Sequence, residues 1–271
     1  MADSRPKDKP FDLIQRGVKR TSVPGILTFV GLRGLDPILQ YKLIAGGWGA
    51  SLLSKLGLNV VLPLTAASNT GIALIDNLNL PLPHLILLGM SVGSFAKQAY
   101  WVVSVCAEEF GPSAAVPVSI YNTLVNSANS LLFLAASTSV LASPLYFPGT
   151  SLPYQAVLGS ALFGIGMFLE TASEEQRKHF KAKPENQGKV IREGLWSWAR
   201  HINYGGYALW RAGYCMAASG FIGGTIMGVG QAFDFVSRAV PVLNEYCTKR
   251  YGEQWDQFKK ETKWVILPGI Y

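Results

Sequence analysis

Residues 21–169 carry only eight charged side chains, Arg33, Asp36, Lys42, Lys55, Asp76, Lys97, Glu108 and Glu109. The whole chain has 24 lysines and arginines and 17 acids, so the other 33 charges crowd into the remaining 122 of its 271 positions. A water-soluble domain is about one-quarter charged, because it needs solvated side chains all round. A stretch this long and this poor in charge cannot cover a sphere facing water. The pattern excludes an ordinary soluble enzyme and predicts an all-α, polytopic bundle of transmembrane helices with a polar C-terminal part. Cys106, Cys215 and Cys247 give an odd count without regular spacing, so neither a disulfide framework nor a metal motif is expected. The basic N-terminal segment lacks an apolar h-region and does not resemble a cleaved signal peptide.

With about 20 apolar residues as the length of one span, residues 57–75, 85–106, 118–142 and 151–171 qualify. Residues 25–53 are apolar on average but interrupted by Arg33, Asp36 and Lys42, and are expected to form an interfacial helix or a short re-entrant pair. Residues 205–243 are too long for one crossing: a helix of that length reaches roughly 58 Å, about twice the hydrocarbon core. Gly220, Gly223 and Gly224 fall near the middle, so two antiparallel helices joined there are expected. The Gly220, Gly224 and Gly228 series, one every four residues, suits close helix packing better than phosphate binding. Lysines and arginines cluster at the N-terminus, over 172–204 and in the tail, and the predicted loops near 76–84 and 143–150 hold neither. The positive-inside rule then gives about six spans with both termini cytosolic. The organisation expected is a cytosolic segment over 1–24, substrate-side helices over 25–169 and a third unit over 170–271.

Several polar residues inside the apolar segments ask for a reason. Asn122, Asn126 and Asn129 share one helical face, which should turn inward either for interhelical hydrogen bonds or as the wall of a substrate cavity. Lys97 lies mid-segment, followed by Tyr100 and Trp101, and needs a buried anion or a ligand. Removing its charge alone is expected to leave the fold intact. Glu108 and Glu109 close the second span, as a solvated cap or a source of protons. Arg200, His201, Asn203 and Tyr204 gather a guanidinium, an imidazole, an amide and a phenol at the membrane surface, a set suited to phosphate plus a cofactor ring.

The order Glu170, Gln176, Arg177, Phe180, Gly188-Lys189, Gly194-Leu195-Trp196, then Arg200-His201, Asn203-Tyr204 and Gly206 resembles the C-terminal domain of the steroid 5-alpha-reductase-like membrane superfamily. That superfamily also takes in the sterol C14 and C7 reductases and the isoprenylcysteine methyltransferases. Arg250, Tyr251, Gly252, Phe258, Thr262 and Pro268 echo its tail. The resemblance covers about residues 170–271. It implies a cytosolic NADPH site formed by Lys189, Arg200, His201, Asn203, Tyr204, Tyr207, Glu245, Arg250 and Tyr251. A reduced carbon–carbon double bond in a steroid, sterol or terpenoid-type substrate is the implied reaction, at the endoplasmic reticulum. Lys97, Trp101, Asn122, Asn126 and Asn129 are the substrate-side candidates, and Tyr100, Glu108 and Tyr121 the candidate proton donors. The partners expected are a hydrophobic small molecule and the bilayer, not nucleic acid. Three positions depart from the pattern: Ile202 stands for Pro, Gly205 for Phe and Tyr207 for Glu. The departures keep two alternatives open, an S-adenosylmethionine-dependent methyltransferase and a non-catalytic relative.

Overall fold

The computed structural model describes residues 17–61, 66–150 and 152–271. The described residues form helices and loops, with two isolated β-bridges.

Helix α1 spans Val23–Ile44, where Ser22 caps the first turn by accepting from the Gly25 amide at 3.2 Å. Its 22 residues rise about 33 Å, enough to cross a hydrocarbon core. Of the two forms expected over 25–53, an interfacial helix or a short re-entrant pair, the pair is corrected, since most of the segment is one helix. Two of the three interrupting charges turn inward, because Arg33 and Asp36 pair with each other at 2.9 Å, fully buried, while Lys42 is exposed in the last turn. After Gly47, which has φ +79°, a short helix α2 follows over Trp48–Lys55.

The expected span over 57–75 is likewise not a helix among its described residues; 62–65 lie outside them. The one short helix near its end is α3, Ala73–Asp76. The Asp76 carboxylate accepts from the Thr70 amide and hydroxyl and the Gly71 amide at 2.7–3.1 Å, which knits this segment into a loop.

Four longer helical runs follow: α4 (Leu82–Tyr100), α5 (Pro112–Leu134), α6 (Tyr154–Ala182) and α7 (Ile202–Asp234). A π-helical turn at Trp101–Val105 extends α4. Another at Phe235–Ala239 joins α7 to α8 (Val240–Tyr251), and α9 (Glu253–Glu261) closes the helical part. The helix α6 and the helical run Ile202–Tyr251, which is broken at Ser219–Gly220, are each long and apolar enough by length and composition to cross a membrane.

Within α7 the helix breaks at Ser219–Gly220, where Gly220 adopts φ +76°, a conformation that side chains with a Cβ resist. The chain reverses there. Gly228 lies against Ala212 and Gly224 against Met216. At the other end the rings of Phe235 and Tyr204 stack with centroids 4.4 Å apart. The returning half presents Ile222, Ile226, Val229 and Phe233 outward, a stripe of exposed apolar side chains.

The tightest seam, between α6 and the first half of α7, uses different glycines from the expected series. Gly159 and Gly166 on α6 face Gly213 and Gly206 on α7. A Cβ on Gly166 would lie 2.3 Å from the Trp210 amide nitrogen, and one on Gly213 2.4 Å from that of Phe163. Backbone meets backbone at both points, and this fixes how α6 and α7 face each other across the site below.

Candidate functional site

A cavity of about 770 Å³ opens between the ends of α4, α5, α6 and α7 and the segment from Phe235 to α9. Its levels follow from the antiparallel run of α6 and α7. In the outer level the Asn203 amide donates to Glu174 at 2.7 Å. About two turns further in, the Trp210 indole donates to Glu170 at 2.7 Å.

The outer level is built by the segment before α7. Trp264 and Val265 accept from the amides of Arg200 and His201 at 3.0 and 2.7 Å, so the tail clasps the start of the helix. The Arg200 guanidinium donates to the carbonyls of Thr262 and Lys263. His201 is buried, stacked on Tyr204 with centroids 5.6 Å apart. Burial, and then the neighbouring Arg200 charge, push its imidazole down to about 3 from 6.5. An unfolded chain takes up a proton below about pH 6.5 that the folded one refuses. Stability should therefore fall from about pH 6.5 downward, by up to ~1.4 kcal/mol per pH unit, and stay level above it as far as this residue goes. Thermal midpoints across pH for the wild type and His201→Gln check this: the acid loss should be shallower in the variant.

Around the same level, Arg177 pairs with Glu174 at 2.5 Å. Lys181 donates to the carbonyl of Lys189 and, at 3.1 Å, to the Tyr251 hydroxyl. Lys181 and Arg200 thus line the cavity with neutral partners and no carboxylate among the described residues. One buried acceptor here, the Asn203 side-chain oxygen, has no partner among the described residues.

Further in, Lys97 forms an ion pair with Glu170, and its ammonium stands over the Tyr207 and Trp210 rings at 5.8 and 5.9 Å. This supplies the buried anion that Lys97 was expected to need, and it corrects the expectation for removing it. Lys97→Met alone strands a largely buried carboxylate, and breaking such a pair costs ~3–5 kcal/mol. Thermal unfolding should show that loss for Lys97→Met and a smaller one for Lys97→Met/Glu170→Gln.

Beneath lies a buried polar network joining α1, α4, α5 and α7. Arg33 donates to Gln98 at 2.6 Å, and Gln98 to Asn122 at 2.6 Å. Asn126 donates to Asp36 at 2.6 Å, and Gln40 to Asp36 at 2.8 Å. Arg211 donates to Asn122, to Asn126 at 3.0 Å and to the Tyr207 hydroxyl at 3.0 and 3.1 Å. The network touches the cavity at Gln98, Asn122 and Tyr207.

The candidate residues from sequence sort accordingly. Glu108, Tyr121, Lys97, Trp101, Asn122, Arg200, His201, Asn203, Tyr204, Tyr207 and Tyr251 line one cavity. Tyr100 does not: it is exposed and donates to Glu175 at 2.8 Å, on the outside of the bundle. Lys189 meets Lys181 through its backbone carbonyl while its side chain is exposed. Glu245 is exposed and paired with Lys249 at 2.5 Å, away from the cavity. Arg250 sits behind the wall, donating to the lining residue Tyr246 at 2.6 Å. Asn126 belongs to the network, and Asn129 is buried without a side-chain partner among the described residues.

Sequence reasoning passed over Glu174, Lys181 and Arg211. The signal for Arg211 was available, since it is the only charge between residues 205 and 233. The three departures from the family pattern each have a local reason. Ile202 occupies the first turn of α7, where proline is tolerated rather than required, and is fully buried. At Gly205 a Cβ would fall 2.0 Å from the Ile266 carbonyl oxygen of the tail. Tyr207 accepts from Arg211 one turn on.

Residues 115–262 match the family described as a protein of unknown function, DUF1295. A probable O-methyltransferase, ustE, of Ustilaginoidea virens is 35% identical, over 89% of this chain and 84% of that protein. A Delta(14)-sterol reductase of Neurospora crassa is 28% identical over 41% of this chain and 32% of that protein. One of Methylotuvimicrobium alcaliphilum is 27% identical over 43% of this chain and 30% of that protein. The chain thus spans about a third of the length of these sterol reductases and most of the length of the first relative.

Proposed function

The chain belongs to the DUF1295 family within the steroid 5-alpha-reductase-like membrane superfamily, and on that premise we propose a membrane-bound, NADPH-dependent reductase acting on a carbon–carbon double bond of a hydrophobic steroid, sterol or terpenoid-type substrate. The observation that carries this reading is the pair of cavity cations without carboxylate partners, Lys181 and Arg200. Two such cations suit the phosphates of NADPH, whereas S-adenosylmethionine, a sulfonium, offers them a single carboxylate and no phosphate.

The residues present fit a nicotinamide dinucleotide in a second way. The Asn203 oxygen, without a partner among the described residues, is a buried acceptor on a residue that lines the cavity, and a carboxamide N–H is the donor it lacks. When bound, NADPH supplies a hydride. Lys181, with Tyr251 and Arg250 behind it, holds phosphate. Asn203 and Tyr204 orient the ring, and the Glu174–Arg177 pair keeps the Asn203 amide turned. Substrate lies further in, against Trp101, Tyr121 and Lys97. Of the three candidate proton donors, Tyr121 sits at that level, Glu108 sits at the outer one holding the Gly17 amide at 2.9 Å, and Tyr100 points away.

In this reading α1, α4, α5, α6 and the two halves of α7 make six crossings of the endoplasmic reticulum membrane, both ends cytosolic. A glycosylation acceptor placed near residue 147 should be modified, and one near Lys183 should not. Methyl transfer is the second reading, favoured by the name of the Ustilaginoidea relative. Thermal shift of the detergent-solubilised protein separates them. NADPH should raise the midpoint and S-adenosylmethionine should not; the reverse supports methyl transfer, and no shift with either supports a non-catalytic relative.

A further inference from the structure

Charges at the inner end of the cavity do not cancel. Arg33 is balanced by Asp36 and Lys97 by Glu170, whereas Arg211, fully buried, meets only neutral oxygens: those of Asn122, Asn126 and Tyr207. Its hydrogen bonds are satisfied, but its charge is not compensated among the described residues. A charge left buried without an opposite partner is costly unless something else supplies one.

The hydrogen-bond directions show what that end of the cavity can offer. The Tyr207 oxygen already accepts two N–H groups from Arg211, so its own O–H is left to donate. The Asn122 oxygen accepts from both Gln98 and Arg211. Both Glu170 oxygens are engaged, one by Lys97 and one by Trp210. An ammonium carries three N–H groups, and Lys97 spends one on Glu170. The wall at this level therefore offers the Tyr207 O–H and the Lys97 N–H, with the committed acceptors behind them and an uncompensated cation one layer deeper. Tyr121 completes it with a hydroxyl able to donate or accept.

We infer that this end of the cavity holds an ionised oxygen, so that the substrate is a hydrophobic compound bearing a carboxylate, phenolate or enolate, anchored by Lys97 and Tyr207 over the charge of Arg211. The inference rests on reading the inner cavity as the substrate site, and it does not depend on which cofactor fills the outer level.

The test uses the full-length protein in detergent and a fluorescent polycyclic aromatic carboxylate, compared with the primary amide of the same ring system. The carboxylate should bind at least about tenfold more tightly, a difference of ~1.4 kcal/mol. Tyr207→Glu places a carboxylate one helical turn from Arg211, balances it, and should erase the preference. Lys181→Met, at the outer level, should leave the preference intact. Equal binding of acid and amide overturns the inference. So does a preference that survives Tyr207→Glu or disappears in Lys181→Met. An NADPH thermal shift measured on the same samples keeps the two proposals apart, since NADPH binding without acid preference removes this inference and leaves the reductase reading in place.

Discussion

Gly166→Leu is expected to abolish the folded protein rather than weaken it. The new Cβ alone would lie 2.3 Å from the Trp210 amide nitrogen and 2.6 Å from the Gly206 carbonyl oxygen. Both obstacles are backbone, so no rotamer change relieves them. Ordinary overpacking costs ~1–3 kcal/mol because side chains can shift; here α6 and α7 must separate. Separation also pulls Glu170 from Trp210 and Glu174 from Asn203, so cavity and seam fail together. Gly164→Leu is the control, because nothing lies within 4 Å of a Cβ at that position on the same helix. Monodisperse yield in detergent should collapse for the first variant and persist for the second. Equal yields would show that the glycine seam does not hold the helices together.

The second large effect concerns the cofactor. Asn203→Ala and Lys181→Met are each expected to weaken NADPH binding roughly 10- to 150-fold, the consequence of losing a hydrogen bond to a buried or charged group worth ~1.5–3 kcal/mol. Neither residue holds the helix seam, so expression should not change. Their effects should differ in kind. Lys181→Met should lose more affinity at low salt than at high, because it removes a charge near the solvated mouth. Asn203→Ala should be insensitive to salt.

How far the sequence could be read depended on which physical quantity each question turned on. Charge scarcity over 21–169 gave the helical class directly, because the cost of burying charge is large and local. The same rule misplaced two segments. Arg33 and Asp36 looked like reasons against a full helix over 25–53, yet three residues apart on α1 they neutralise each other and face inward. Residues 57–75 looked apolar enough to span, but among the described residues their end turns at Thr70 and Gly71, where Asp76, a single carboxylate, collects three donors. Average hydropathy does not register either effect.

That Arg200, His201, Asn203 and Tyr204 lie together along one cavity was legible from their spacing, since they fall within five consecutive residues. Partner choice was not. Whether Glu170 or a ligand answers Lys97, and whether Tyr100 faces in or out, depends on helix rotation, which one sequence leaves open. Glu245 was assigned by its order in the family pattern, but the exposed face of α8 turns it toward Lys249 instead. The seam glycines were missed for a similar reason. Gly159, Gly166, Gly206 and Gly213 are paired by a contact between two helices, and each pair of positions seven apart says nothing alone.

The reductase reading is tested most directly by following where hydrogen goes. Membranes containing the protein, incubated with lipid extract and NADPH deuterated at the transferable position of the nicotinamide, should yield a product enriched in one deuterium and one solvent proton at a former double bond. The Asn203→Ala membranes should yield far less. A product that instead gains a labelled methyl group from S-adenosylmethionine, with no deuterium from NADPH, would contradict the reductase account and establish methyl transfer in its place.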